Sequence, residues 1–374
     1  MKDNLKFKEK FGIASTHFGG LLGAGTASGV SIAGYFITKG GWMSLFFPWV
    51  TIILMFIIYY FGIQISRLKK FEKYNEVLSY AYGDLKKILT PIGEIAVIYN
   101  LMFSLALAFS GGGVLLNQFT KIPVILGVIV ISIICIIISF YGLDFLNKIQ
   151  SFMTFGMLLI LLLVYITALT KGFPNLIETI RSGWMPKGAS FGRGFYWAFA
   201  DTASYASFLA IYMLNVKKFN NTKEVKSTLT LGALMCSTAL WLPALVLLSY
   251  TDAVSQEIPT MYIMQNVINF KGATVAYTVL LMLAFISTGA SCLAAISDRF
   301  SVYIPKSISK PSSRTLLICI LVSIISILIA QSGIKSVFNL FTPIGNILSL
   351  TLLAIPLLFI LPVKYRKDKT IEVK

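Results

Sequence analysis

The chain has 374 residues, of which 56% are hydrophobic and 13% charged, and its mean hydropathy is +0.80. Soluble domains carry about 25% charged residues, so this chain lacks the polar surface to face water all round, and a bilayer is its expected solvent. The net charge of +17 does not point to nucleic acid, because the basic residues form short clusters between apolar runs. Runs of about twenty residues span a bilayer as helices, and basic clusters between them set topology.

Residues 1–10 are polar, and the run after them is too long for a cleavable leader and has no A-x-A site, so no signal peptide is expected. Hydropathy predicts ten spans, near 11–36, 42–66, 89–118, 122–142, 149–170, 192–215, 227–250, 272–302, 313–332 and 336–362. The first, third and eighth are long enough to require tilt. Cys135, Cys236, Cys292 and Cys319 fall inside spans at irregular spacing and read as small core residues, with no disulfide or metal framework.

In the first span, Gly19, Gly20, Gly23, Gly25 and Gly29 surround Ala24, Thr26, Ala27 and Ser28. Each glycine costs about 1 kcal/mol against alanine in a helix, so the cluster is a weak point. One reading is an unwound segment lining a cavity, where free carbonyls coordinate a cation and a half-helix N-terminus receives a carboxylate. The other is close helix packing, since Gly19/Gly23 and Gly25/Gly29 are small-xxx-small pairs. His17, just before the cluster, is read as a packed histidine or as a proton-coupling one.

Between the second and third spans, residues 69–87 mix charge with Tyr74, Tyr80 and Tyr82 and are expected to lie along the inner interface. Glu94, at the inner end of the third span, is read as an interfacial or gating contact. Asn100, Asn117 and Gln118 are read as interhelical hydrogen bonders. The outer loops 171–191 and 251–271 are each expected to hold a short amphipathic helix, the second starting after Pro259, and to act as a lid or as plain connectors.

The sixth span carries small and hydroxylated residues around an acid, with Phe199, Asp201, Thr202 and Ser204, and its Thr-Ala-Ser at 202–204 repeats that at 26–28. Irregular segments at matching places in two halves point to a transporter binding site. The candidate solute-binding residues are therefore Gly23, Ala24, Gly25, Thr26, Ser28, Phe199, Asp201, Thr202 and Ser204. An ionisable group inside a span is costly, so Asp201 is read as holding a cation, a substrate amine or a proton. The alternative is a wet outer pairing with Arg193. On the eighth span, Ser287, Thr288 and Ser291 group on one side as oxygen ligands or as hydroxyls bonded to their own helix.

Of the 32 Lys and Arg, 24 fall in segments that lie inside if the N-terminus is inside, and 8 fall outside. This bias predicts an N-in, C-in topology.

The Gly-Ala-Gly-Thr-Ala-Ser-Gly run at 23–29, in the first of ten spans, resembles the YkvI-like bacterial membrane proteins. These are relatives of the amino acid–polyamine–organocation superfamily, which has the LeuT-type five-plus-five inverted-repeat fold. The resemblance implies an all-α membrane protein with broken first and sixth helices, a single domain over 1–374, and repeats at 11–170 and 192–362. It implies a pocket between the first and sixth spans, walled by the third and eighth. It also implies a sodium site made of Gly19 and Leu22 on the first span and Ala284, Ser287 and Thr288 on the eighth. The polar Gln-Glu pair of that family is replaced by Val30-Ser31, so no role passes to that acid.

The expected function is cation-coupled symport, with sodium or protons, of an amino acid or similar small amine in the bacterial cytoplasmic membrane. The alternative is a ligand-sensing subunit on the same fold. The expected partners are a small solute, the coupling cation and lipid, without nucleic acid or a cofactor other than sodium. Enzyme and channel readings are set aside, for lack of a metal cluster, a nucleophile triad, a P-loop or a pore filter.

Overall fold

The computed structural model describes residues 5–256, 258–300, 303–304 and 311–372, without the side chains of Ala24, 311–312 and 369–372. Lys2, Lys306, Lys310 and Lys374 of the charge distribution, and the side chain of Lys369, lie outside the described residues. Every regular element among the described residues is helical.

The first apolar run forms α1 (Phe7–Leu21) and a single turn α2 (Ala24–Ala27), then Val30–Ile32 and a π-helical turn, Ala33–Ile37. There follow α3 (Phe47–Lys69), the surface helix α4 (Tyr74–Tyr82), α5 (Lys86–Thr120), α6 (Val124–Phe140) and α7 (Leu143–Arg181). The second half holds α8 (Phe191–Ala206), α9 (Leu209–Met213), α10 (Thr222–Ser249), α11 (Pro259–Ile263), α12 (Lys271–Phe300), α13 (Pro311–Ala330) and α14 (Ile334–Ser349). Among the described residues, seven helices are long and apolar enough to cross a membrane, and α6 is a shorter apolar one. The first and sixth expected spans are the interrupted ones.

Apolar side chains point both ways, as expected when lipid replaces water. Phe18, Phe109, Tyr165, Tyr277 and Phe285 are fully buried, whereas Phe152, Phe155, Leu159 and Leu163 of α7 stand exposed along one stripe. All four cysteines are buried.

The charges sort by end. Lys69–Asp368, Lys73–Asp298, Lys217–Glu72, Lys218–Asp144 and Arg299–Glu94 all join segments expected inside. Segments expected outside also meet one another: Trp42 N–H donates to Trp184 O (3.0 Å), Ser190 N–H to Lys39 O (3.0 Å) and Lys335 Nζ to Ser255 O (3.1 Å).

One loop departs from expectation. No separate helix forms in 171–191, because α7 continues through Pro174 to Arg181. The proline removes one donor, and the polar turn beyond it still finishes the helix. The other outer loop matches its reading, with α11 starting at Pro259 and a π-helical turn at Met264–Ile268.

Candidate functional site

Both interrupted helices break for local reasons. The first stops at Leu22–Gly23, resumes for one turn, and turns again at Gly29, whose φ of +83° suits glycine. A Cβ on Gly29 would also press on the Thr260 side chain of α11. The sixth has no glycine between Gly194 and Gly232. Asp201, Thr202 and Ser204 stay helical, and the interruption falls later, at Ser207–Phe208. There Ser207 Oγ donates to Ser204 O (2.6 Å), so a hydroxyl supplies the bond that the helix gives up.

Unwound backbone at membrane depth must find partners, and here hydroxyls provide them. Ala27 O accepts from Tyr277 Oη, from Thr260 Oγ1 (3.2 Å) and from Tyr165 Oη (3.4 Å). Tyr205 O accepts from Tyr59 Oη (2.7 Å). Thr260 N–H also donates to Ser28 O (3.3 Å), which docks the outer loop on the first break.

A small cavity of about 50 Å3 lies between the two breaks. Of the expected solute-binding residues, Gly23, Gly25, Thr26, Asp201 and Ser204 line it. Phe199, Thr202 and Ser28 are not among its lining residues: Phe199 packs on the core, Thr202 Oγ1 donates to Ala198 O (3.0 Å), and Ser28 Oγ to Gly25 O (3.2 Å). Ala24 sits in the turn α2, its side chain outside the described atoms. Asp201 is 2% exposed, neighbours Thr51, and leaves Oδ2 without a partner. Arg193 lies apart, its guanidinium donating to Gly188 O (2.7 Å), so the wet outer pairing is not formed.

Sequence reasoning missed Tyr35, which lines the cavity, and Asn346 behind it. Tyr35 Oη and Ser204 Oγ both donate to Asn346 Oδ1 (3.0 and 3.1 Å), leaving the buried Asn346 Nδ2 as an unpartnered donor. Asn100 lines the cavity and donates to Ser349 Oγ (2.7 Å) of α14, which is the interhelical role expected. Asn117 instead closes its own helix end, donating to Ile122 O (2.7 Å), and Gln118 is exposed. Two of the cavity's lining residues, Tyr35 and Phe338, form with Trp197 an aromatic partition, with centroids 5.8 Å (Tyr35–Trp197) and 5.6 Å (Tyr35–Phe338) apart. Beyond it a vestibule is lined by Lys39, Gln256, Lys335 and Asn339.

Two further groups lie away from the cavity lining, and His17 keeps a buried Nε2 without a partner. His17 stacks on Tyr212 at 4.3 Å and meets Tyr59 edge-on at 4.6 Å, with Nδ1 3.9 Å from Cys236 Sγ. Glu94 accepts from Arg299 Nε (2.7 Å) at the C-terminal end of α12.

At the contact of the first and eighth segments, Thr288 Oγ1 donates to Gly19 O (2.7 Å) and lies 3.4 Å from Gly20 O. Ser287, Leu22 and Ala284 are buried in the same core. Gln150 of α7, which the sequence reading did not single out, also meets Ser287 and Ser291.

No family model matches the chain, and no curated protein matches it in sequence. Its fold, however, is similar to those of solved transporters. A Na+-coupled sialic acid symporter in a substrate-bound outward-open state gives a TM-score of 0.70 at 16% identity, over 92% of this chain and 78% of that one. MhsT in complex with L-phenylalanine gives 0.68 at 12% identity, over 98% of each chain. The manganese transporter of Eremococcus coleocola gives 0.64 at 13% identity, over 96% of this chain and 80% of that one. The likeness covers nearly the whole chain, and this protein is a multi-pass membrane protein with the LeuT-type fold of those transporters.

Proposed function

We propose that the protein is a secondary active transporter that carries an amino acid or similar small amine together with a cation, sodium or a proton, by alternating access. The observation that carries this reading is a pair of unmatched buried groups, one on the cavity wall (Asp201) and one behind it, bonded to the lining residues Tyr35 and Ser204 (Asn346). Asp201 Oδ2 is an acceptor without a donor, and Asn346 Nδ2 is a donor without an acceptor. Buried polar groups without a partner are few in a folded protein, and here one of them is an ionisable oxygen on the cavity wall. Asp201 and Ser204 are three residues apart on α8, so the acid and the Ser204–Asn346 pair share a helix face. A zwitterionic solute supplies what each lacks: an ammonium for Asp201 and a carboxylate oxygen for Asn346.

The rest of the reading extends the expectations drawn from the sequence. The chain is assigned to YkvI-like members of the amino acid–polyamine–organocation superfamily, in the bacterial cytoplasmic membrane. It crosses ten times with both ends inside, as repeats 11–170 and 192–362. The one-end grouping of ion pairs supports that orientation. The cavity residues Gly23, Gly25, Thr26, Asp201 and Ser204 hold the solute, and the first and sixth segments rock against the third, fourth, eighth and ninth. The aromatic partition of Tyr35, Trp197 and Phe338 closes the outer side.

The test is flux. The purified protein in liposomes should accumulate one of a panel of amino acids and amines under an inward sodium or proton gradient. An inside-negative potential should increase uptake, since it adds about 2.3 kcal/mol per charge per 100 mV. Saturable binding with no flux under any gradient would sink the transporter reading and favour a ligand-sensing subunit.

A further inference from the structure

The contact between α1 and α12 holds a side chain that neither helix supplies. Gln150 comes from α7 and is fully buried. Its Nε2 donates to Ser287 O (2.8 Å) and to Ser291 Oγ (3.0 Å), and its Oε1 accepts from Ser287 Oγ. The orientation of the amide is fixed by chemistry, because a carbonyl such as Ser287 O faces only a donor. Ser291 Oγ passes the chain on to Thr16 O (3.1 Å) of α1. The backbone comes in close: a Cβ on Gly19 would overlap both Ser287 Oγ and Gln150 Oε1.

One turn to either side, α7 repeats the arrangement. Asn147 Oδ1 accepts from Thr16 Oγ1 (2.6 Å) and its Nδ2 donates to Asn215 Oδ1 (2.8 Å). Thr154 Oγ1 lies 3.5 Å from Ser15 O. Positions 147, 150 and 154 share a helix face, so α7 presents an uncharged polar ladder to the first and eighth segments.

We propose that the Gln150 carboxamide does at this contact what a monovalent cation would otherwise do, and so sets the ion specificity of the protein. A cation is held where oxygen lone pairs converge; two N–H bonds directed at Ser287 O and Ser291 Oγ engage the same kind of acceptor without adding charge. Thr288 Oγ1 meanwhile spends its proton on Gly19 O. The first and eighth segments therefore close on each other without sodium. The coupling ion of the proposed transport cycle is then a proton rather than sodium, and the buried acid on the cavity wall is Asp201. This refines the transporter reading and rests on it for its meaning, but its test needs no flux.

The experiment is thermal unfolding of the detergent-purified full chain in sodium, lithium or choline chloride at constant ionic strength. The wild type should give the same Tm in all three. Gln150→Ala, which leaves the Ser287 and Ser291 oxygens facing an empty space, should gain a saturable sodium-dependent rise of at least about 2 °C. That rise should vanish in Gln150→Ala/Ser287→Ala. Gln150→Glu, close in size and able to be charged, serves if the alanine variant does not fold, and should also become sodium-responsive. A saturable sodium response in the wild type, lost in Gln150→Ala, would overturn the proposal by making Gln150 a ligand. Folded variants with no sodium response would overturn it too. Should liposomes show no flux while these shifts appear, the transporter reading falls and the role of Gln150 stands.

Discussion

At the scale of single residues, Asp201 is where chemistry and cost meet. A carboxylate in hydrocarbon persists only with a partner or a task, and its Oδ2 has no partner in the protein. Asp201→Asn keeps the size and removes the charge, so solute affinity should fall roughly 10- to 100-fold while the fold survives, measured by ligand-induced thermal shift. Gly29 makes a different prediction. At φ +83° a Cβ costs about 1–2 kcal/mol, and here it also meets Thr260. Gly29→Ala should therefore lower Tm and loosen the outer loop, whereas Gly192→Ala, with open space around it, should change neither. Asp201 was legible in the sequence because an acid inside an apolar run is rare. Tyr35, Asn346 and Gln150 were not legible. Polar residues commonly bond helices together, and only the packing shows which of them face a cavity or a fellow helix.

At the scale of elements, the two interruptions differ in how openly the sequence writes them. Five glycines announce the first, and the chain breaks within them at Leu22–Gly23. The sixth was centred on Asp201–Ser204 by its small residues, yet that stretch remains helical. Alanine, threonine and serine tolerate a helix, and the break waits for Ser207, whose hydroxyl takes over a carbonyl. The outer loop illustrates a second illegible link. Its helix was foreseen from Pro259, but its seat on Ala27 O, shared by Thr260, Tyr277 and Tyr165, depends on three distant segments converging. Tyr277→Phe removes one donor from that carbonyl at a cost of about 1 kcal/mol. The expected outcome is faster amide hydrogen exchange over 259–268, with little change in α3 or α5.

At the scale of the whole molecule, the end expected to lie inside is tied together by charge. Arg299 is 9% exposed and bonds Glu94, joining α12 to α5, while Glu224 accepts from the Leu5 and Asn220 N–H groups and pins the start of α1 to α10. Glu94→Gln should strand a largely buried guanidinium and cost on the order of 3 kcal/mol in thermal unfolding; Glu94→Leu/Arg299→Met should restore most of it. The ion pairs join segments that the Lys and Arg clusters assign to one side, so which segments share an end was legible even though the individual partners were not. The buried cysteines have a practical consequence. The resting protein should be almost inert to water-soluble thiol reagents, so engineered single cysteines can be labelled without first removing the native ones. Cys236 stands against His17 at the junction of α1 and α10. It is thus a native chemical clock, and the rate at which a small reagent reaches it would record how often the first segment swings away from its neighbour.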